Sequence, residues 1–484
     1  MKIINNIKKL FNSQILLSRS VRAGSILTLG SLAENILRFI RNVILARILA
    51  PEAFGLMATV LASVAVGEVF FEVGLKQSVI QNKKGAEDSF LNIIWWISSF
   101  RATGLYIIGY FVAPFICDFY QKPELLLLIR VGFLAILFNG FLCPKVYVLE
   151  KEMRFKKWVI LMQGSGILGV FVAIGLAFYL QNVWALVFGY VTESLVRCLL
   201  SYLLLPFKPQ WNMHKEFLHD ILAFSKRMFG LPILTMLFLQ ADVFVIGKIL
   251  SLGQLGIYIL AKSLSEMPNT FLSKIIHPIV FSTFSLVQDD KKQMKDTLLK
   301  LTRWTTVFGL PFIAFLAIFA DSILSIVYGS RYATAAIPFG ILCVYNIILL
   351  SSTFIVNMYF AIGRPNIHRL ALFVRTAVLL IIIYPATKYM GLVGVASLIL
   401  IATCLSLTIH LIYLKRLFAI PYLEYLGNWT EGITLCLIVI IPGILLNILI
   451  GSHIIIMLIL GISLCIVAWG LGIHKIIRAH KKSL

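Results

Sequence analysis

Apolar residues run along this chain in windows of about 20, the length an α-helix needs to cross about 30 Å of hydrocarbon. The pattern predicts about fourteen transmembrane helices, near residues 23–47, 53–78, 89–116, 124–148, 157–180, 183–205, 221–249, 255–285, 298–328, 334–360, 366–387, 391–414, 432–450 and 453–473. They leave no stretch long enough for a soluble domain, so the expected fold class is an all-α, polytopic integral membrane protein. The first window carries Glu34, Arg38 and Arg41 and is followed by no small-residue cleavage site, so it reads as a retained span and not as a signal sequence.

Composition agrees. Of 484 residues, 60% are hydrophobic and only 13% charged, against roughly 25% charged in soluble domains. The 43 Lys and Arg against 21 Asp and Glu give +22, which in a soluble protein would suggest nucleic acid. Here the cations fall between apolar runs, so membrane lipids are the expected contact and nucleic acid is not. Most of them lie before the first span, after an even span or at the C-terminus, whereas the opposite loops hold only about five: Arg47, Lys122, Lys248, Arg331 and Lys388. Both termini are therefore expected in the cytoplasm. Residues 1–22 read as an amphipathic segment lying on anionic lipid, and residues 474–484 as a basic tail.

An internal repeat divides the chain. Arg47-Ile-Leu-Ala-Pro-Glu-Ala-Phe-Gly55-Leu56 matches Lys248-Ile-Leu-Ser-Leu-Gly-Gln-Leu-Gly256-Ile257 without gaps, at a shared offset of 201 (248 − 47 = 256 − 55). Six intervening spans restore the chain direction, so residues 23–205 and 206–414 are expected to form two parallel six-helix lobes, a transporter architecture whose site lies between the repeats. Residues 415–473 add two further helices with no charge between Glu431 and Lys475.

Charge within hydrocarbon is costly and marks function or pairing. Arg41, Arg101 and Arg130 have no obvious acidic neighbour on their own helix and are candidates for binding an anion, together with Arg38, Lys262 and Lys274, because the guanidinium fork holds phosphate oxygens at two points. Glu34, Glu68, Glu72, Asp242 and Glu266 are candidates for ion coupling through proton or sodium uptake. The bland alternative is pairing: Glu34–Arg38, Glu193–Arg197 and Lys262–Glu266 are spaced i, i+4. Phosphate-loop, metalloprotease and nucleophile-elbow motifs are missing, and the seven cysteines are scattered singly. No enzyme activity, metal or cofactor is therefore expected.

Four stretches carry a resemblance: Ala46-Arg-Ile-Leu-Ala-Pro-Glu-Ala-Phe-Gly55, Glu72-Val-Gly-Leu-Lys-Gln-Ser-Val-Ile80, Trp184-Ala-Leu-Val187, and Asp242-Val-Phe-Val-Ile-Gly-Lys248 through Leu255-Gly-Ile-Tyr258. Together they resemble the polysaccharide exporters of the multidrug/oligosaccharidyl-lipid/polysaccharide superfamily, in its Wzx-type flippase group. The resemblance implies a V-shaped pair of lobes that moves undecaprenyl-pyrophosphate-linked oligosaccharide from the cytoplasmic to the periplasmic leaflet of the bacterial inner membrane. The glycan would serve O-antigen lipopolysaccharide or exopolysaccharide synthesis, with a glycan polymerase and a chain-length regulator as further partners. Arg41-Asn-Val-Ile-Leu-Ala-Arg47 is also similar to a span-one pattern of lipid II flippases, which implies that Arg41 faces substrate. A multidrug or cation antiporter is the alternative within transport, and the lone arginines argue against it. A membrane glycan polymerase or glycosyltransferase is the alternative outside transport, and the short outward loops argue against that.

Overall fold

The computed structural model describes residues 27–72, 74–210, 230–449 and 454–482. The amphipathic segment 1–22 lies outside the described residues. All regular structure among those described is helical. The chain divides into two compact units, up to Met236 and from Leu237, so the division falls inside a helix, Gly230–Ile249.

Unit 1 begins with α1 (27–48) and α2 (Pro51–Glu72). The second window does not run on as one helix to residue 78. Gly74 adopts φ 80°, a left-handed conformation that ends helical propagation, and a separate short α3 (Leu75–Gln81) follows. After α4 (Asp88–Tyr120), the fourth window is also broken, into α5 (Leu125–Gly132), α6 (Leu134–Gly140) and α7 (Lys145–Lys151). α7 turns away from the preceding pair by 64° at Pro144, whose missing N–H cannot continue the helical ladder. Then come α8 (Phe155–Leu180) and α9 (Trp184–Leu204). A core of Leu75, Val79, Phe90, Ile94, Val146 and Leu161, among others, packs where α3, α4, α7 and α8 meet.

Unit 2 takes in most of α10 (Gly230–Ile249), then α11 (Leu252–Leu286), α12 (Lys291–Ile318), α13 (Ala320–Val327), a 3-10 turn (Ser330–Ala335), α14 (Ala336–Ala361), α15 (Pro365–Phe418), α16 (Tyr422–Leu449) and α17 (Ile454–Lys482). The repeat is visible in the helix boundaries: α1 and α10 end at 48 and 249, while α2 and α11 start at 51 and 252, each at the offset of 201. Ser251 caps α11 by accepting from the Gln254 N–H at 3.1 Å. Asp290, which reads as a solvated turn, caps α12 through the N–H groups of Lys292 and Gln293. Pro311 interrupts the α12 ladder, and α16 and α17 supply donors around it: Trp469 Nε1 to the Phe308 carbonyl at 3.0 Å, and the Cys436 and Cys465 thiols to those of Leu310 and Pro311.

Nine helices among the described residues are long and apolar enough to cross a membrane, or ten if the bent pair is one span. The fourteen expected from the sequence are not reached by this measure. α1 carries Glu34, Arg38 and Arg41 in its middle, and the 54-residue α15 counts once although Gly391 bends it into two arms at φ 58°, ψ −140°. Only glycine holds that conformation without strain. Gly391→Ala is therefore expected to cost about 1–3 kcal/mol, read as a lower thermal midpoint of the detergent-solubilised protein.

Candidate functional site

In unit 1 the polar stripe of α1 meets α9 across the glycine face of α8. Arg38 sits between two carboxylates: its Nε donates to Glu34 Oε1 at 3.0 Å, and its Nη2 donates to both oxygens of Glu193 at 2.7 and 2.8 Å. Glu193, 7% exposed, also accepts from Arg197 Nη2 at 2.5 Å, and Arg197 Nε donates to the Ser165 hydroxyl at 3.4 Å. The i, i+4 pairs read from the sequence are thus halves of one network of two carboxylates and two guanidiniums, with no net charge. Helix α8 approaches closely because a Cβ on Gly169 would stand only 2.8 Å from the Cβ of Glu193 and from the Gly189 carbonyl oxygen.

Arg41, one turn beyond Arg38 on α1, is not part of that neutral network. Its Nε and Nη2 reach the Oδ1 of neighbouring Asn42 at 3.2 and 3.0 Å, and no carboxylate among the described residues lies within ion-pair distance. An arginine in apolar surroundings with only a neutral acceptor still needs an anion. Glu68 on α2 accepts from the Tyr190 hydroxyl of α9 at 3.5 Å. Arg130 on α5 lies 3.8 Å over the ring of Tyr110 on α4, with its Nε buried and unpartnered. Arg101 is partly buried on α4. Glu72 ends α2, and its side chain lies outside the described residues.

In unit 2 Asp242 on α10 is fully buried and is held from α11: Lys262 Nζ donates to Oδ2 at 2.5 Å, and the Tyr258 hydroxyl donates to the same oxygen at 3.0 Å. Lys262 therefore pairs with Asp242 across helices, not with Glu266 one turn along, as its spacing suggests. Glu266 is partly buried on α11 beside Ser265, whose hydroxyl accepts from Asn346 of α14 at 3.4 Å. Lys274 falls on α11, but its side chain lies outside the described residues.

Two features escape the sequence reading. Arg303 of α12 makes a two-point pair with Glu431 of α16, at 2.8 and 2.6 Å; the partners are 128 residues apart and carry no local signal. Arg375 on α15, by contrast, is a lone arginine in an apolar window, and the criterion that singles out Arg41 would have found it. Its guanidinium lies 3.7 Å over the ring of Phe238 on α10.

Comparison with known proteins gives a consistent result. Residues 44–337 match the family model described as polysaccharide biosynthesis protein. The succinoglycan biosynthesis transport protein ExoT of Rhizobium meliloti is 27% identical over 66% of this chain and 65% of its own. The lipopolysaccharide biosynthesis protein WzxC of Escherichia coli is 21% identical over 81% of this chain and 80% of its own. Among solved structures, the lipid II flippase MurJ in an inward closed conformation superimposes with a TM-score of 0.75 at 15% identity, covering 93% of this chain and 99% of that one. This last match establishes the shared fold.

Proposed function

The chain belongs to the polysaccharide biosynthesis protein family, and from that membership we propose that it is a flippase. Its cargo would be a polyprenyl-pyrophosphate-linked oligosaccharide, moved from the cytoplasmic to the outer leaflet of the bacterial cytoplasmic membrane for surface polysaccharide assembly. The observation that carries this reading is Arg41: a cation in the body of α1, the first span expected from the sequence, beside a network that neutralises its neighbour Arg38 and leaves Arg41 without a carboxylate. Its planar fork suits a pyrophosphate in a partly dry site, and protein dipoles and charges replace the water that the phosphates give up. The printed names of the relatives support a transport role in polysaccharide synthesis. The loop charges support cytoplasmic termini. In this reading the protein catalyses no covalent step and works beside a glycan polymerase and a chain-length regulator.

A multidrug or cation antiporter would need an accessible carboxylate ready for a cation. The most buried carboxylate of unit 2, Asp242, is instead occupied by Lys262, which favours the flippase.

Arg41→Ala is expected to leave the amount of membrane-inserted protein unchanged, because no ion pair is broken. It should abolish surface glycan and make the lipid-linked oligosaccharide accumulate in the cytoplasmic leaflet. Immunoblotting, surface-glycan staining and leaflet-specific labelling of the lipid-linked pool measure the three quantities. Normal surface glycan in that variant would remove Arg41 from the site.

A further inference from the structure

We infer that Arg375 of unit 2 is an oxyanion subsite for the cargo. The inference rests on the flippase reading and adds a specificity-determining residue to it. The guanidinium carbon lies 3.7 Å over the centroid of the Phe238 ring, while Nε is buried and makes no hydrogen bond. Nη1 and Nη2 make no hydrogen bond among the described residues either, yet they are not among the buried unpartnered atoms. Phe238 therefore covers one side of the guanidinium and Nε is enclosed, while Nη1 and Nη2 keep some accessibility.

None of the groups around it is an anion. Phe238 is 4% exposed and Tyr345 of α14 is 5% exposed; both are neutral. His368, two turns towards the Pro365 end, stacks on His410 with ring centroids 5.8 Å apart, and the Nδ1 atoms of both rings lack partners. Of the two carboxylates near Tyr345, Asp242 is already closed by Lys262 and Tyr258, and Glu266 makes no ion pair with Arg375 among the described residues. The attraction of a cation for the face of a phenyl ring is weak beside the cost of taking a charge out of water, and no ion pair among the described residues offsets that cost at Arg375.

Headgroups held at the two ends of the helical arm are too far away to be the partner. Arg375 is ten residues from Pro365 at one end of its helical arm and sixteen from the Gly391 bend at the other, or about 15 and 24 Å at 1.5 Å per residue. Neither distance can be spanned by one side chain reaching for lipid headgroups. An oxyanion carried to this position would meet a planar fork that binds a carboxylate or a phosphate through two parallel hydrogen bonds. The cargo offers both chemistries, in its pyrophosphate and in any uronate of its glycan.

The test reconstitutes wild type, Arg375→Gln and Arg375→Lys into proteoliposomes. Each is given two polyprenyl-pyrophosphate-linked oligosaccharides, one neutral and one differing only by a uronate. Loss of a charge-assisted two-point contact predicts a fall in transport of about ten- to a hundredfold for Arg375→Gln. A fall for both cargoes identifies the pyrophosphate as the bound group, and a fall for the uronate cargo alone identifies the carboxylate. Arg375→Lys keeps the charge but not the fork, so it folds as wild type and recovers only part of the loss. A thermal readout separates binding from structure: without cargo, Arg375→Gln should melt no lower than wild type, since an unneutralised charge has been removed, but it should lose the upward shift that cargo produces. Wild-type transport of both cargoes by Arg375→Gln would overturn the subsite, as would a lower melting point without cargo combined with an intact cargo shift. If wild type moves neither cargo, the flippase reading itself falls.

Discussion

Glu193→Ala is expected to be among the most damaging single substitutions in unit 1, costing about 3–5 kcal/mol. The carboxylate is 7% exposed and accepts from two arginines at once, Arg38 at 2.7 and 2.8 Å and Arg197 at 2.5 Å. Removing it leaves Arg197 with the Ser165 hydroxyl and Arg38 with Glu34 alone, so two cations share one acid among three packed helices. Breaking such a pair from one side is costly because the remaining charge keeps its desolvation penalty and loses its compensation. The expected observation is a large drop in the thermal midpoint of the solubilised protein and a low yield in the membrane. Glu193→Gln should fall in between, since its amide oxygen still accepts from one guanidinium. Replacing Arg38, Glu193 and Arg197 together by Met, Leu and Met should recover most of the stability, because the one charge of the network then left is Glu34, whose side chain is 22% exposed. If Glu193→Ala melted like wild type, the network would be a solvated surface feature with no hold on α1.

The sequence discloses the helices far better than their interactions. Runs of about 20 apolar residues follow directly from bilayer thickness, which is why each expected window contains a helix. The repeat was legible because the hairpin at 47–56 and its counterpart at 248–257 place helix ends at one offset. Breaks were less legible. Gly74 and Gly391 resemble other glycines in apolar windows until their backbone angles are known, and nothing local distinguishes Pro144, which stands at the break before α7, from Pro311, which stays inside its helix. Pairing across helices was the least legible of all. Spacing suggested Glu34–Arg38, Glu193–Arg197 and Lys262–Glu266. The structure retains the first two, joins them through Arg38–Glu193, and replaces the third by Lys262–Asp242. Local periodicity shows which charges share a helix face but not which helix that face meets, so Arg303–Glu431 had no signal in sequence. Arg41 stands out in the sequence and in the fold for the same reason: it has no acid one turn away along α1, and no carboxylate within ion-pair distance among the described residues.

Asp242→Ala is expected to destabilise unit 2 by a similar amount, about 3–5 kcal/mol, and its rescue separates the two roles open to this residue. The Asp242 carboxylate is fully buried, and Lys262 and Tyr258 both donate to its Oδ2. Alanine leaves the buried Lys262 ammonium with only Glu266, one turn along α11, and the Tyr258 hydroxyl without its acceptor. If the pair serves to lock α10 to α11, Asp242→Ala with Lys262→Met should restore the thermal midpoint, since apolar replacement of a buried ion pair is often neutral or stabilising, and transport should return with it. If Asp242 instead exchanges Lys262 for a transported ion, the double variant should be as stable as wild type but insensitive to an imposed proton or sodium gradient. The geometry favours the lock, because a tethered ammonium 2.5 Å from the carboxylate competes with any soluble cation without the entropic cost of capturing it from solution. A stable double variant that still flips cargo in proteoliposomes, with unaltered gradient dependence, is the expected result; loss of that dependence would assign Asp242 to ion coupling.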